Sequence, residues 1–85
     1  MPDWHTHHYL SPTRHYTALL HQDLFGQWIL TKVWGARGSK RGRVVDVHLR
    51  DYAEGLAMLE AVRRQRARRG YKPTQFLTAP PGSNG

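Results

Sequence analysis

The chain has 85 residues, of which 13 are lysine or arginine, six are aspartate or glutamate and none is cysteine. This length allows a single domain with a small core, and the lack of cysteine excludes disulfide bonds, thiolate metal ligands and a cysteine nucleophile. The formal net charge of +7 makes a polyanion the natural partner, because a strongly basic small domain carries the electrostatic footprint of nucleic-acid binding.

The first residues, MPDWHTHHYLSPT, combine two prolines and three histidines with little periodicity, and they predict a flexible His-rich leader over 1–13. They lack the apolar run of a secretory signal, and no stretch of the chain is apolar enough to span a membrane, so we expect a cytoplasmic protein. His5, His7 and His8 are close in sequence, but they lie on the flexible leader, and no carboxylate except Asp3 is near them. We therefore expect neither a metal site nor another cofactor.

Two alternating segments then predict an antiparallel hairpin. Residues 14–21 place apolar side chains on one face of a strand, and residues 28–34 are apolar on both faces, which is typical of a central strand. The segment DLFG at 23–26 fits the turn between them. There Asp23 can accept hydrogen bonds from backbone amides, and Gly26 can adopt a positive φ.

The next connection, residues 35–42, contains three glycines together with lysine and arginine, and predicts a flexible basic loop. Residues 43–49 alternate again and predict a third strand. Asp51 followed by Glu54 resembles a capping box and predicts that a helix begins here.

The helix is expected to cover the sheet with an apolar stripe at helical spacing. The stripe consists of Tyr52, Leu56, Leu59 and Val62. Gly70 suits the left-handed residue that ends a helix, and Pro73 opposes its continuation. Residues 74–78 indicate a short edge strand. These elements predict an α+β domain over 14–78, an antiparallel sheet of three to four strands with one helix packed across one face, followed by a disordered tail over 79–85.

Several landmarks follow one another in a specific order. They are the strand of Tyr16, the DLFG turn, Trp28, Trp34-Gly35, Gly38-Ser39, Gly42-Arg43, an Ala- and Leu-containing helix and Arg69-Gly70-Tyr71. This set, over 14–71, resembles the WGR domain, a small module named for a Trp-Gly-Arg tripeptide. The module is found in poly(ADP-ribose) polymerases and in stand-alone bacterial proteins. The resemblance implies the α+β fold described above and a binding module in place of an enzyme.

The resemblance also implies how such a module would act. In the polymerases the motif tryptophan and neighbouring basic residues touch a DNA end, and the motif arginine relays that contact to other domains. In this chain Ala36 stands in place of that arginine, and Arg37 follows where an apolar residue is usual. The implied role is contact with nucleic acid at Trp34 without the relay, unless the chain has diverged from both roles.

Ten of the thirteen positive residues fall into two clusters beside Trp34 and at the helix end. The loop cluster comprises Arg37, Lys40, Arg41 and Arg43, and the helix-end cluster comprises Arg63, Arg64, Arg66, Arg68, Arg69 and Lys72. Guanidinium groups bind phosphate through paired hydrogen bonds, and an edge tryptophan can stack on a sugar or base. The alternatives are that the helix-end cluster complements the negative end of the helix and that Trp34 belongs to the core.

We therefore expect a non-enzymatic module that binds DNA or RNA, with DNA preferred, through its backbone or ends, as a monomer or weak homodimer. The alternative is an adaptor whose sheet or hairpin tip docks an acidic protein partner. Catalysis is not expected, because the carboxylates are divided among a turn, a strand and a helix, and the serines have no base and acid partners in order. The loop also lacks the spacing of a phosphate-binding P-loop.

Overall fold

The computed structural model describes residues 3–39 and 41–80, which form one antiparallel sheet and one helix. The elements are β1 (Trp4–Leu10), β2 (Arg14–Gln22), β3 (Trp28–Ala36), β4 (Arg43–His48), α1 (Tyr52–Arg68) and β5 (Lys72–Ala79). The strand order is β4-β3-β2-β1-β5. The predicted α+β class is confirmed, but the described sheet has five strands, where three to four were predicted.

The additional strand comes from the segment predicted to be a flexible leader. Residues 4–10 form β1, which pairs with β2 on one side and with β5 on the other, so the prediction of a loose segment over 1–13 was wrong for these residues. Tyr9 is only 1% exposed. Histidine and threonine occupy most other positions of β1, so an apolar count misses a strand that aromatic and β-branched residues favour.

The edge strand β5 is longer than the 74–78 segment predicted from sequence. It pairs antiparallel with β1 and begins two residues after the helix-terminating Gly70. The tail predicted over 79–85 begins with Ala79, which is the last residue of β5, and residues 81–85 lie outside the described residues. The chain therefore returns to the sheet after the helix, and β1 becomes an interior strand between β2 and β5.

The core lies between α1 and one face of the sheet, mainly over β2 and β3. Its buried members are Tyr9, Tyr16, Ala18, Leu20, Leu30, Leu59, Val62 and Tyr71. Trp28 packs against this cluster and is partly buried. Leu56 is 40% exposed, which corrects its predicted place in the buried stripe. The helix instead turns Gly55 toward the sheet, at the point of closest approach.

Gly55 lets the helix approach the sheet closely, because a Cβ added there would lie 2.5 Å from Leu20 Cδ1. We expect Gly55→Ala to lower the free energy of unfolding by about 1 kcal/mol, since overpacking outweighs the gain in helix propensity of about 1 kcal/mol. Leu20→Val removes the two δ carbons nearest to that Cβ and leaves Leu49 Cδ1, at 3.1 Å, as the remaining close atom. In that background Gly55→Ala should become stabilising, and urea unfolding of the four proteins in this double-mutant cycle measures the change of sign.

Both ends of α1 are capped as the sequence predicts, with one difference in detail. The Asp51 carboxylate accepts a hydrogen bond from the Glu54 amide at 2.8 Å, whereas the Glu54 carboxylate accepts from the Arg50 amide at 3.2 Å and so reaches one residue further back than expected. At the other end, Gly70 has φ +82° and the Tyr71 amide donates to the Arg66 carbonyl at 2.9 Å. This Schellman turn brings Tyr71 back against the helix end.

His7 lies on the helix side of β1, with its ring stacked on Phe76 at a centroid distance of 4.1 Å. Its Nδ1 is buried and has no hydrogen-bond partner among the described residues. Burial lowers the pKa of His7 below its ordinary value, and the neighbouring His5 and His8 lower this pKa further. The folded protein therefore holds this imidazole in its neutral form.

Protonation of His7 should make the protein less stable in mild acid. The pKa of His7 is lower in the folded state than its ordinary value of 6.5 in the unfolded state. The free energy of unfolding is therefore highest above pH 6.5 and declines as the pH falls below that value. We expect Tm to fall between about pH 7.5 and about pH 5.5, and His7→Phe to reduce this fall. His48→Gln, at an exposed position of β4, is the control and should leave the fall unchanged. An equal fall in the His7→Phe protein would contradict the assignment.

Candidate nucleic-acid interface

A groove of about 730 Å³ opens where the end of α1 meets the β1–β2 turn and the last part of β3. It is lined by Ser11, Thr13, Arg14, Tyr16, Lys32, Trp34, Gln65, Arg66, Arg69 and Tyr71. Four of these ten residues are cationic, three are aromatic and none is acidic. The groove therefore combines positive charge with flat apolar surfaces.

Strand register places the aromatic floor of the groove. Tyr16 of β2 and Trp34 of β3 are directly opposed, and their rings are stacked with centroids 6.1 Å apart and planes inclined by 18°. Side chains two residues apart share a face of a strand, so Lys32 lies on the same face as Trp34. Trp34 is half-buried: it packs against the core and also lines the groove.

Arg66 provides the best-defined charge in the groove. Its guanidinium carbon lies 4.4 Å from the centre of the Tyr16 ring and 5.1 Å from that of Tyr71. Its Nε is buried without a hydrogen-bond partner among the described residues, and no described carboxylate lies within ion-pair distance. Burial raises the pKa of Tyr16 although Arg66 opposes the rise, so the phenol stays neutral. The charge of Arg66 therefore remains available to an anion.

The loop cluster lies at the same end of the sheet, but its described arginines do not line the groove. Arg37 is tied to the β1–β2 turn, since its amide donates to the Thr13 carbonyl at 2.9 Å and its Nη1 donates to the Ser11 carbonyl at 3.3 Å. Arg41 is exposed, and Arg43 is an exposed residue of β4 opposite Trp34. Lys40 lies outside the described residues.

The helix-end cluster divides into residues that face the groove and residues that face away. Arg66 and Arg69 line the groove, whereas Arg64 and Arg68 are exposed elsewhere on the helix. Arg63 is hydrogen-bonded through its Nε to Glu60 at 2.9 Å, and this bond lowers the pKa of the glutamate. Lys72, also exposed, begins β5 and pairs with Leu10. The predicted cluster thus supplies two residues to the groove.

Seven of the ten lining residues were absent from the predicted site, and they include all the lining cations and rings other than Trp34, Arg66 and Arg69: Arg14, Lys32, Tyr16 and Tyr71. Arg14 and Lys32 are two of the three positive residues outside the predicted clusters, which were chosen by proximity in sequence. A signal for them exists, because each stands two residues before an aromatic residue on the helix-facing side of its strand. Alternation would have placed them beside Tyr16 and Trp34 once those faces were assigned.

The described residues contain neither a candidate metal site nor a helix that could span a membrane. No group of three or more potential ligands from histidine, aspartate and glutamate converges within residues 3–39 and 41–80. His5 bonds the Tyr52 hydroxyl on the helix side of β1, whereas His8 bonds Thr17 on the opposite face. Across those two ranges, no helix has the length and apolar character needed to cross a bilayer.

Comparison of the chain with models of protein families, with curated proteins and with solved structures gives no significant match. The side chains of the groove themselves define its chemistry. Guanidinium and ammonium groups bind anions, and the half-buried Trp34 ring beside them offers a stacking surface. Ligands that combine phosphate groups with flat rings fit both properties.

Proposed function

We propose that this chain is a small non-enzymatic module of WGR type that binds nucleic acid, with DNA as the expected partner. The observation that carries the proposal is the joint placement of four cations and three aromatic rings in one groove without an acidic side chain. The net charge of +7 adds a long-range attraction for polyanions. The ordered sequence landmarks of the WGR domain support the same function.

The groove is suited to the phosphate backbone because its charges are already in place. The Tyr16 and Tyr71 rings, which meet edge to face, both contact the Arg66 guanidinium and restrict its rotamers, so less side-chain entropy is lost on binding than for a free surface arginine. Arg69 follows one helical turn later, and Arg14 and Lys32 approach from the sheet. Together they offer four cationic groups to phosphates within one groove.

Trp34 adds an interaction that a purely electrostatic site lacks. Stacking of a sugar or base on an aromatic ring contributes about 1 to 3 kcal/mol. In a nucleic acid, a sugar or base is accessible for such stacking at a strand end, in a loop or where a base is unpaired. The groove therefore favours ends, nicks and single-stranded segments over the interior of an intact duplex.

Sequence-specific readout does not follow from this architecture. A recognition helix must enter the major groove and present side chains to base edges. Here α1 packs against the sheet, and its buried face is occupied by Gly55, Leu59 and Val62. Contacts from the groove would go to phosphate, sugar and exposed bases.

An acidic protein segment is the alternative ligand, since it would satisfy the same four charges. The aromatic lining favours nucleic acid, because phosphates and rings alternate along a strand, whereas carboxylate side chains have no ring to stack. Capture of a partner from a nuclease-treated extract, combined with no affinity for oligonucleotides, would support the adaptor function in place of the one proposed.

Fluorescence anisotropy with duplex, nicked and single-stranded oligonucleotides tests the proposed function. Four phosphate contacts predict a slope of log K against log salt of about −3.6 on duplex, or about a 150-fold loss of affinity between about 50 and 200 mM salt. We expect nicked and single-stranded probes to bind at least as tightly as intact duplex. Absence of salt-sensitive binding below about 10 μM at low salt would contradict the proposal.

A further inference from the structure

The hairpin tip, residues 23–27 between β2 and β3, exposes two large apolar side chains. Leu24 is 100% exposed and Phe25 is 90% exposed. The turn itself does not require them, because its positive φ falls on Gly26 and its side-chain hydrogen bonds come from Asp23 and Gln22. Polar residues at the two apolar positions would serve the turn equally well. Their exposure therefore calls for a partner.

The hairpin tip is held rigidly by hydrogen bonds. The Asp23 carboxylate accepts from the Phe25 amide at 2.8 Å and from the Gln27 amide at 3.0 Å. The Asp23 amide donates to the Gln27 carbonyl at 3.0 Å, and the Gly26 amide donates to the Asp23 carbonyl at 3.1 Å. A turn that is ordered before binding loses little backbone entropy when it docks.

Acidic residues surround this end of the molecule. Asp23 is in the tip, and Asp51 and Glu54 begin α1, whose Tyr52 ring lies 4.8 Å from that of Trp28 beside the hairpin. Asp3 precedes β1, which begins at this same end of the sheet. Arg50, bonded to Glu54, provides a nearby positive charge. The tip is thus apolar at its summit and negative around its base.

The groove lies at the opposite end of the sheet. β2 and β3 have nine residues each, so the two ends are separated by about 26 Å. The groove is lined with aromatic rings and four cations, and it offers what the tip would need: an apolar floor and a positive rim. Because the two sites are far apart on one molecule, the tip cannot fill the groove of its own chain.

We propose that the hairpin tip of one copy docks into the groove of a second copy, with Leu24 and Phe25 against the aromatic floor and the surrounding carboxylates facing the cationic rim. The inference uses the groove of the proposed function, but it does not require nucleic acid to bind there. Such an interface is heterologous, so each added copy leaves one tip and one groove free for further growth. The small contact makes the association weak and reversible.

Nucleic acid that occupies the groove must displace a docked tip. Assembly and nucleic-acid binding therefore compete, and addition of oligonucleotide should return the protein to monomers.

The acidic base of the tip also opposes insertion into an anionic membrane, which leaves the basic groove as the complementary surface.

Sedimentation velocity of the full chain from about 10 μM to about 1 mM at low salt tests the inference. We expect the mean sedimentation coefficient to rise with concentration, and we expect Leu24→Ser/Phe25→Ser or Arg69→Glu to weaken association at least about tenfold. Leu24 and Phe25 are exposed and Arg69 lines the groove, and circular dichroism verifies that the variants are folded. A wild-type chain that stays monomeric over the whole range overturns the inference.

A mixing experiment identifies the geometry. The tip variant, Leu24→Ser/Phe25→Ser, retains an intact groove, and the groove variant, Arg69→Glu, retains an intact tip. A mixture of the two should therefore form a one-to-one dimer that cannot grow further. A mixture that remains monomeric, or a groove variant that still self-associates through its tip, overturns head-to-tail docking. Binding of the wild type to phosphatidylserine vesicles that is lost in the tip variant would instead assign the tip to lipid and also overturn the proposal.

The two proposals fail separately. Association is measured without nucleic acid, and the tip variant is expected to keep wild-type affinity for oligonucleotides in the anisotropy assay. A wild-type chain that binds nucleic acid but does not self-associate would remove head-to-tail docking alone. Head-to-tail association without any nucleic-acid binding would remove only the function proposed for the groove.

Discussion

Replacing Tyr9 with alanine should lower the free energy of unfolding by about 3 to 5 kcal/mol, the range for loss of a large aromatic side chain from a packed core. Tyr9 is fully buried between α1 and the sheet, and its ring contacts the rings of Tyr16 and Phe76 edge to face. A domain of this size has little stability to spare, so the variant should be largely unfolded at room temperature. Urea denaturation followed by circular dichroism measures the effect.

Tyr9→Phe is the matched control. The Tyr9 hydroxyl is buried with no hydrogen-bond partner among the described residues, and burial raises the pKa of this phenol, so its removal should be neutral or slightly stabilising. Comparison of the two variants separates the contribution of the ring to the free energy of unfolding from that of the hydroxyl. A loss below about 1 kcal/mol in the alanine variant would mean that β1 behaves as the loose leader that composition suggested and contributes little to the fold.

Removing the two groove arginines should weaken binding to DNA far more than removing two other arginines of the same helix. Arg66→Gln/Arg69→Gln eliminates two charged contacts, each contributing about 1.5 kcal/mol, so affinity should fall about a hundredfold. The salt slope should decrease in magnitude by about 2, since two fewer counterions are released. Anisotropy titrations at several salt concentrations measure both quantities.

Arg64→Gln/Arg68→Gln provides the control with the same change in net charge. These two arginines are exposed on α1 and do not line the groove, so their loss removes only the long-range attraction. We expect affinity to fall no more than about threefold, with a nearly unchanged salt slope. Equal losses in the two double variants would show that binding depends on total charge and would contradict a localised site.

The elements with strong local signals were predictable from sequence. The hairpin turn is specified by Asp23 and Gly26, and the helix ends by Asp51 and Gly70, because these residue types satisfy backbone groups in ways that other residues do not. The strand over residues 4–10 was missed for a physical reason. It pairs with β2 across the short turn that follows it and with β5 more than sixty residues away, but its histidine- and threonine-rich sequence has no apolar alternation that would indicate either partner.

The candidate site was only partly predictable because it is assembled across strands. The residues Trp34, Arg66 and Arg69 came from clusters visible in sequence, whereas Arg14 and Lys32 are isolated in the chain and meet only through strand register. Charge density along the helix also misleads, since successive arginines point in different directions around its axis. Register and helix facing, more than composition, decide which cations share the groove.

The most direct test of the groove as the nucleic-acid interface is an amide-shift titration of the isotopically labelled protein with a short duplex that has one single-stranded end. We expect perturbation of the groove residues, with the hairpin tip and the first turn of α1 unchanged in dilute protein; the perturbed residues are Arg14, Lys32, Arg66, Arg69 and the Trp34 indole. Perturbations confined to the outward-facing side of the helix, or an unperturbed Trp34 indole at saturation, would contradict it.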